Sequence, residues 1–231
     1  LGKRTVLELL DRGYDVRTTV RDLASEDTIR TDLAAAGIAP GNRLEVVAAN
    51  LTSDDGWPEA AADCRFVLHI ASPFPPEQPK DPDELIVPAR EGAKRALAAA
   101  VDAGAERVVL TSSVAAIHAN RQDSEAQPLN EDDWTDGDDT SRIPYTRSKT
   151  LAERAAWALA EEKGARERLA TVNPGAIIGP VLGGVLIDTV GWRVIFWPTV
   201  VIGLIAYWVT RRQVPELPGF ADDKYLRRFD W

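Results

Sequence analysis

Tyr145 and Lys149 are the residues of this sequence whose types and spacing point most directly to chemistry. Residues four apart lie on one face of a helix, one turn from each other. An ammonium beside a phenol favours the phenolate, so the tyrosine can exchange a proton with a carbonyl or alcohol oxygen. The pair predicts an alcohol/carbonyl redox site, although the same spacing also occurs as a surface tyrosine beside a solvated lysine.

Ser113 is the third candidate, because it ends the segment Arg107-Val-Val-Leu-Thr-Ser-Ser113 upstream of the pair. A short β-branched apolar run that ends in hydroxyls is typical of a buried parallel strand that delivers side chains at its carboxyl end. A serine hydroxyl placed there can hold the same substrate oxygen that the tyrosine serves. This context favours the catalytic interpretation of Tyr145 and Lys149.

The composition limits the classes of protein to which this chain can belong. The 231 residues are 45% hydrophobic and 27% charged, which fits one large α/β domain or a domain with an appendage. The net charge of −9 argues against nucleic-acid binding. The single cysteine excludes an internal disulfide framework and predicts a reducing, cytoplasmic compartment. No secretory signal opens the chain, which has no Met and looks truncated before Leu1.

Apolar periodicity predicts elements that alternate along the chain. The predicted helices are 3–12, 25–37, 83–104 and 144–164. The predicted strands are 15–22, 43–51, 64–73, 107–113 and 168–178. The acidic stretch 122–140 has no apolar period and is predicted to be a loop. This alternation predicts an α/β fold with a doubly wound parallel sheet and right-handed crossovers.

Several strings within residues 1–183 resemble the extended short-chain dehydrogenase/reductases, that is, the NAD-dependent epimerase/dehydratase superfamily. The similarity is greatest to the NADP-dependent reductases related to dihydroflavonol reductase. The strings are LLDRGYDVRTTVRD, VLHIASPFP, RVVLTSSVAAIH, EDDWTD, PYTRSKTLAERAAW and TVNPGAIIGP. The resemblance implies a Rossmann-like domain that binds NADP, with NAD as an alternative, and acts on a small carbonyl or alcohol substrate.

The resemblance also implies the roles of individual residues. Ser113, Tyr145 and Lys149 would form the catalytic triad, with Tyr145 as proton donor and Lys149 also holding the nicotinamide ribose. Arg21 would lie against the adenosine 2′-phosphate, where a guanidinium forms bidentate bonds. From the residues alone, a solvated charge at the end of a strand is the better interpretation of Arg21.

Further cofactor contacts follow from the same resemblance. Leu51 would pack on adenine, and Asn50 stands where relatives usually have Asp, so we expect a modest loss of adenine affinity. The residues expected to line the dinucleotide groove or shape the loop near the nicotinamide are Ile70, Ala71, Ser72 and Pro174. His69 and His118 have no metal-like spacing, and packing is the better interpretation of both.

The front of the family pattern is incomplete in this sequence. Relatives begin with a central strand and a GxxGxxG turn whose amides hold the pyrophosphate at a helix N-terminus. Here Gly2 alone remains, as the last glycine of that motif. We therefore expect a sheet that lacks its first strand and a weak affinity for the cofactor.

The back of the sequence changes in character after residue 183. Residues 175–216 resemble a fragment of a major-facilitator drug antiporter, which predicts a chimera joined near the glycine-rich stretch 175–184. The run 194–210 carries no charged residue and is at the short end of the length that spans a bilayer. Membrane association through this run and a buried helix of a soluble domain both remain open for the appendage 184–231.

The leading hypothesis is an NADP-dependent carbonyl or alcohol reductase whose cofactor loop and substrate lid are damaged. One alternative is a non-catalytic chimeric fragment with a membrane-associating helix. Another is a dinucleotide-binding module without catalysis. The resemblance further implies pairing into a homodimer through the helix that bears Tyr145, while the substrate itself stays undetermined.

Overall fold

The computed structural model describes residues 1–75, 78–118, 129–130 and 132–175, in which helices and strands alternate. The strands of this part are β1 (Val16–Val20), β2 (Leu44–Ala48), β3 (Phe66–His69), β4 (Arg107–Thr111) and β5 (Leu169–Val172). The helices are α1 (Gly2–Asp11), α2 (Glu26–Ala35), α3 (Trp57–Ala61), α4 (Asp83–Asp102), α5 (Ala115–His118) and α6 (Pro144–Glu162). Short 3₁₀ turns lie at Leu23–Ser25, Gly41–Arg43 and Arg166–Arg168.

All the strand pairs of the described residues are parallel, as predicted for a doubly wound α/β fold. β1 pairs with β2, and Val16 lies opposite Leu44. A second sheet has the order β3-β4-β5, with Phe66 opposite Arg107 and Val108 opposite Leu169. No described strand bridges β1 and β3, which is the interruption expected of a sheet without its central strand.

The ends of the helices follow from local sequence. α6 begins at Pro144, whose fixed φ and missing N–H suit the first turn of a helix. Gly13 and Gly104 follow α1 and α4 with φ of +89° and +80°, a conformation that glycine adopts without steric cost.

The sequence did not predict the short helices α3 and α5. Their lengths of five and four residues are too short for an apolar period to be recognised.

The main core lies where α4 and α6 pack on one face of the β3-β4-β5 sheet. Alanines dominate the helix faces, so the two helix backbones can approach each other closely. The buried members of this cluster are Ala89, Ala93, Leu97, Ala100, Ala105, Val108, Leu110, Ala152, Ala156, Ala160 and Leu169. A second cluster fixes α1 and α2 against β2, and its members are Leu10, Leu33, Ile38 and Leu44. The larger core thus joins the helix that carries Tyr145 to the strand that precedes Ser113.

The predicted boundary between the domain 1–183 and the appendage 184–231 lies beyond Gly175, the last residue that the structure describes. The antiporter-like segment, the apolar run 194–210 and the tail therefore lie outside the described residues, and the predictions made for them stay predictions. Within the residues that the structure describes, no helix combines the length and the apolar character needed to cross a membrane.

Leu97→Ala tests whether the α4–α6 packing controls stability. Leu97 is 2% exposed within the main cluster, so truncation should cost about 2–5 kcal/mol of the free energy of unfolding. Val87→Ala on the same helix is the control, since Val87 is 40% exposed and its truncation should cost much less. Urea unfolding of both variants measures the difference, and equal losses would contradict this account of the core.

Candidate active site

Ser113 lies just after the carboxyl end of β4, as predicted. The Ser112 N–H donates to the Val172 carbonyl at 2.8 Å, so the chain stays tied to β5 beyond the end of the strand. Ser113 is 8% exposed, and its Oγ accepts a hydrogen bond from the Ala115 N–H at 3.2 Å. This bond leaves the hydroxyl proton of Ser113 available for a substrate oxygen.

Tyr145 occupies the first turn of α6 and is half-buried. Its backbone N–H donates to Gln78 Oε1 at 3.2 Å. Its ring meets the ring of Phe74 edge to face, with centroids 5.4 Å apart and an angle of 80° between the planes. Phe74 and Gln78 belong to the segment that follows β3. The phenol ring therefore lies between α6 and the loop at the carboxyl edge of the sheet.

Lys149 lies one turn further along α6 and is 8% exposed. Its Nζ donates to the Thr111 carbonyl at 3.4 Å, which connects the helix to the last residue of β4. Burial lowers the pKa of the Lys149 ammonium, and the carboxylate of Glu153 opposes this effect. The structure thus brings Lys149 to the segment that ends in Ser113.

A cavity of about 10 Å³, room for roughly one water molecule, lies beside Lys149. Strand β4 and its extension supply Thr111 and Ser112 to its wall, and the residues after β3 supply Ala71 and Ser72. Two of the residues predicted to line the dinucleotide groove therefore share a cavity with the predicted catalytic lysine.

Pro174 and Ile70 lie at the same edge of the sheet. The Pro174 carbonyl accepts a hydrogen bond from the Val114 N–H at 3.2 Å, so Pro174 lies beside the residue that follows Ser113. Ile70 directly follows β3 and is half-buried. The predicted residues of the nicotinamide side thus gather where the parallel strands end, which is where such sheets bind ligands.

The residues predicted for the adenosine side lie around the other sheet. A cavity of about 360 Å³ borders Gly2 and Lys3 at the N-terminus of α1, together with Thr18, Thr19, Val20, Ser25, Thr28, Val6 and Ile29. Arg21 directly follows β1 and is exposed to solvent. The small side chains and the backbone amides at the start of α1 could hold an anionic group, and Arg21 directly follows Val20, which borders this cavity.

Asn50 is engaged within its own loop, and Leu51 packs on α4. Asn50 Oδ1 accepts from the Thr52 N–H at 3.1 Å and from Thr52 Oγ1 at 3.0 Å, which forms an Asx turn. Leu51 packs on α4 so closely that a Cβ at Gly92 would lie 2.5 Å from its Cδ2 atom. In this arrangement both side chains shape the loop after β2, and their predicted contacts with adenine stay predictions.

Two functional candidates, Glu153 and Asn173, were missed by the sequence analysis. Glu153 is 4% exposed and borders the cavity beside Lys149. Its carboxylate accepts a hydrogen bond from Asn173 Nδ2 at 2.9 Å. The available signal was the position of Glu153, one helical turn after Lys149, because a carboxylate at that spacing lies beside the ammonium.

His69 confirms the expectation that it is a packing residue. It is 7% exposed, and its ring meets the Trp57 ring edge to face at 6.0 Å. Burial, with a smaller contribution from the Lys149 charge, lowers the pKa of His69 to about 4. Among the described residues, no group of histidine, cysteine and carboxylate side chains is arranged to hold a metal ion.

Comparison with known proteins matches residues 1–185 to the NAD dependent epimerase/dehydratase family. Tetraketide alpha-pyrone reductase 2 of Arabidopsis thaliana is 36% identical over 183 residues, covering 77% of this chain and 56% of the relative. Cinnamoyl-CoA reductase CAD2 of Medicago truncatula is 38% identical over 183 residues, covering 77% and 55%. The chain thus spans about half the length of these relatives.

A solved structure shares the fold as well. Yeast methylglyoxal/isovaleraldehyde reductase complexed with NADPH superposes with a TM-score of 0.63 and is 27% identical, covering 74% of this chain and 53% of the yeast chain. The Rossmann-like architecture predicted from the sequence is therefore confirmed over the described residues.

The titration of His69 should make stability depend on pH. An unfolded histidine binds a proton near pH 6.5, whereas folded His69 does so only near 4, so stability falls as pH drops through this window. Between about pH 7 and about pH 5, the free energy of unfolding of the parent chain should fall by roughly 2 kcal/mol more than that of the His69→Gln variant. Urea unfolding at several pH values measures this loss. His118→Gln, which removes the other histidine of the chain, is the control: a pH dependence reduced as much in His118→Gln as in His69→Gln would contradict the assignment to His69.

Proposed function

The chain belongs to the NAD dependent epimerase/dehydratase family, and we propose that it is an NADPH-dependent reductase of small-molecule carbonyl compounds. The observation that carries the proposal is the buried Lys149, which lies one turn from Tyr145 on α6 and contacts the end of β4 next to Ser113. Relatives named as reductases support the reaction class.

The residues present fit the proposed cofactor. The cavity of about 360 Å³ lies at the N-terminus of α1, where backbone amides favour an anionic group. Hydroxyl side chains that could donate to a phosphate group line it beside Val6, Val20 and Ile29: Thr18, Thr19, Ser25 and Thr28. Arg21 would contact the 2′-phosphate, which distinguishes NADPH from NADH. When bound, NADPH supplies the hydride that reduces the carbonyl carbon.

The protein's own residues would then handle the substrate oxygen. The Ser113 hydroxyl would donate a hydrogen bond to this oxygen, and Tyr145 would give it a proton as the alcohol forms. The buried Lys149 ammonium would stabilise the phenolate that remains and would orient the ribose. A solvent proton restores the phenol, so one carbonyl, one NADPH and one proton yield one alcohol and one NADP⁺.

Tyr145→Phe tests the assignment of the proton donor. Removal of this hydroxyl should lower kcat about 10²–10⁴-fold, which is the range attributed to general acid catalysis. The assay is carbonyl-dependent oxidation of NADPH with methylglyoxal and isovaleraldehyde, the substrates named for the yeast enzyme of the same fold.

Tyr14→Phe is the matched control, because Tyr14 is exposed in the turn after α1. This variant should keep the activity of the parent chain. A parent chain that binds NADPH and reduces no carbonyl compound would refute the proposed function. A Tyr145→Phe variant that stays within a few-fold of the parent would refute the role of Tyr145.

Arg21→Ala tests the cofactor assignment separately from catalysis. Loss of a charge-assisted contact should weaken NADPH binding about ten- to a hundred-fold and leave NADH binding within about three-fold. Fluorescence titration measures both affinities. Arg12→Ala is the control, since Arg12 pairs with Glu8 at the other end of α1. Equal weakening of both cofactors by Arg21→Ala would exclude a contact with the 2′-phosphate.

A further inference from the structure

Glu153 is a buried carboxylate on the same helix as Tyr145 and Lys149. At 4% exposure it has lost almost all of its hydration, which is costly unless other groups compensate for it. The proposed mechanism assigns it no part. Its position one turn beyond Lys149 places a negative charge beside the predicted catalytic lysine.

Asn173 supplies the compensating hydrogen bond and makes a second one. Its Nδ2 donates to Glu153 Oε2 at 2.9 Å and to the Ser113 carbonyl at 3.1 Å. Both partners accept hydrogen bonds and cannot donate them, so only the nitrogen of the amide can face them, and its two hydrogens serve one partner each. The Asn173 side chain is therefore a bridge between α6 and the residue that carries the predicted catalytic hydroxyl.

Lys149 provides a second connection between the same two elements. Its Nζ donates to the Thr111 carbonyl at 3.4 Å, two residues before Ser113. The helix is thus attached to the end of β4 at two points, through side chains one turn apart on α6. Two attachments fix the rotation of the helix about its axis, whereas one would fix only a distance.

The charge of Glu153 acts on Lys149 as well. Burial lowers the pKa of Lys149, and the Glu153 carboxylate raises it, so the carboxylate favours the ammonium form. The other groups around Lys149 do not replace this charge. His69 on β3 is neutral above about pH 4, the β4 segment presents Thr111 and Ser112, and α4 presents Ala89 and Ala93.

We propose that Glu153 and Asn173 are positioning residues, which hold Ser113 in register with Tyr145 while the Glu153 carboxylate pairs electrostatically with the Lys149 ammonium. This inference rests on the proposed reductase function. It assigns Glu153 and Asn173 no contact with the substrate or the cofactor. They act through the Ser113 carbonyl and the Lys149 ammonium.

The first test compares truncating variants in the full chain. Glu153→Ala and Asn173→Ala should each lower kcat about ten- to a hundred-fold, because small displacements of reacting groups are costly, with KM for NADPH within about three-fold. The double variant should fall no further than the more impaired single variant, since both remove one bridge. Glu162→Ala, on the exposed end of α6, is the control and should keep the kcat of the parent.

Glu153→Gln separates the hydrogen bond from the charge. The glutamine oxygen can still accept from Asn173 Nδ2, so kcat near neutral pH should recover to within about three-fold of the parent. Loss of the negative charge makes the Lys149 ammonium easier to deprotonate. The alkaline limb of the kcat profile should therefore move to lower pH, an effect that a merely structural role would not produce.

A measurement that does not depend on catalysis distinguishes the proposed positioning role of Glu153 and Asn173 from the proposed reductase function. In the parent chain the Asn173 side-chain amide protons should be protected from exchange with solvent in NMR spectra. This protection should be lost in Glu153→Ala and kept in Glu153→Gln. Absence of this protection in the parent, or kcat values of Glu153→Ala and Asn173→Ala within two-fold of an active parent, would overturn the inference. An inactive parent that retains the protected amide would instead refute the proposed function.

Discussion

The arrangement of the candidate site depends on one buried cation. Lys149 is almost inaccessible to solvent, and an ammonium in that position needs acceptors and a nearby negative charge. The Thr111 carbonyl at the end of β4 and the Glu153 carboxylate on α6 supply them. Because Glu153 lies on α6 itself, only the bond from Lys149 to the Thr111 carbonyl, of these two contacts, ties the helix to the sheet. Together with the Asn173 bridge from Glu153 to the Ser113 carbonyl, this bond holds the helix that carries Tyr145 close to the segment that carries Ser113.

The packing of the main core allows α6 to lie close to the end of β4. Alanines occupy most of the contact between α4, α6 and the β3-β4-β5 sheet, so the helices lie near the strands without large side chains between them. The side chain of Lys149, near the start of α6, can then reach the end of β4. A wider spacing between the helix and the sheet would put that end out of its reach. Parallel strands add the second condition, because their carboxyl ends place the residues after β3, β4 and β5 at one edge.

The two parts of the proposed cofactor site are built on different sheets. The residues assigned to the nicotinamide side lie at the ends of β3, β4 and β5, while Gly2 and Arg21 belong to the region of β1 and α1. Reduction of a carbonyl compound by NADPH requires both regions to bind one molecule. In the proposed function, the sheet of β1 contributes affinity and the choice of cofactor, and the sheet of β4 contributes the chemistry.

Sequence alone determined the α/β class and the parallel sheet, and it pointed to Ser113, Tyr145 and Lys149 as candidates, because periodicity and spacing are local properties of the chain. It also anticipated that His69 packs in the interior. Tertiary structure alone decided that Asn173 joins Glu153 to the Ser113 carbonyl, since these residues are 20 and 60 positions apart in the chain. It likewise showed Asn50 engaged in its own loop and Leu51 packed on α4. Hydrogen bonds between distant segments depend on how helices pack on the sheet, and no local pattern encodes that packing.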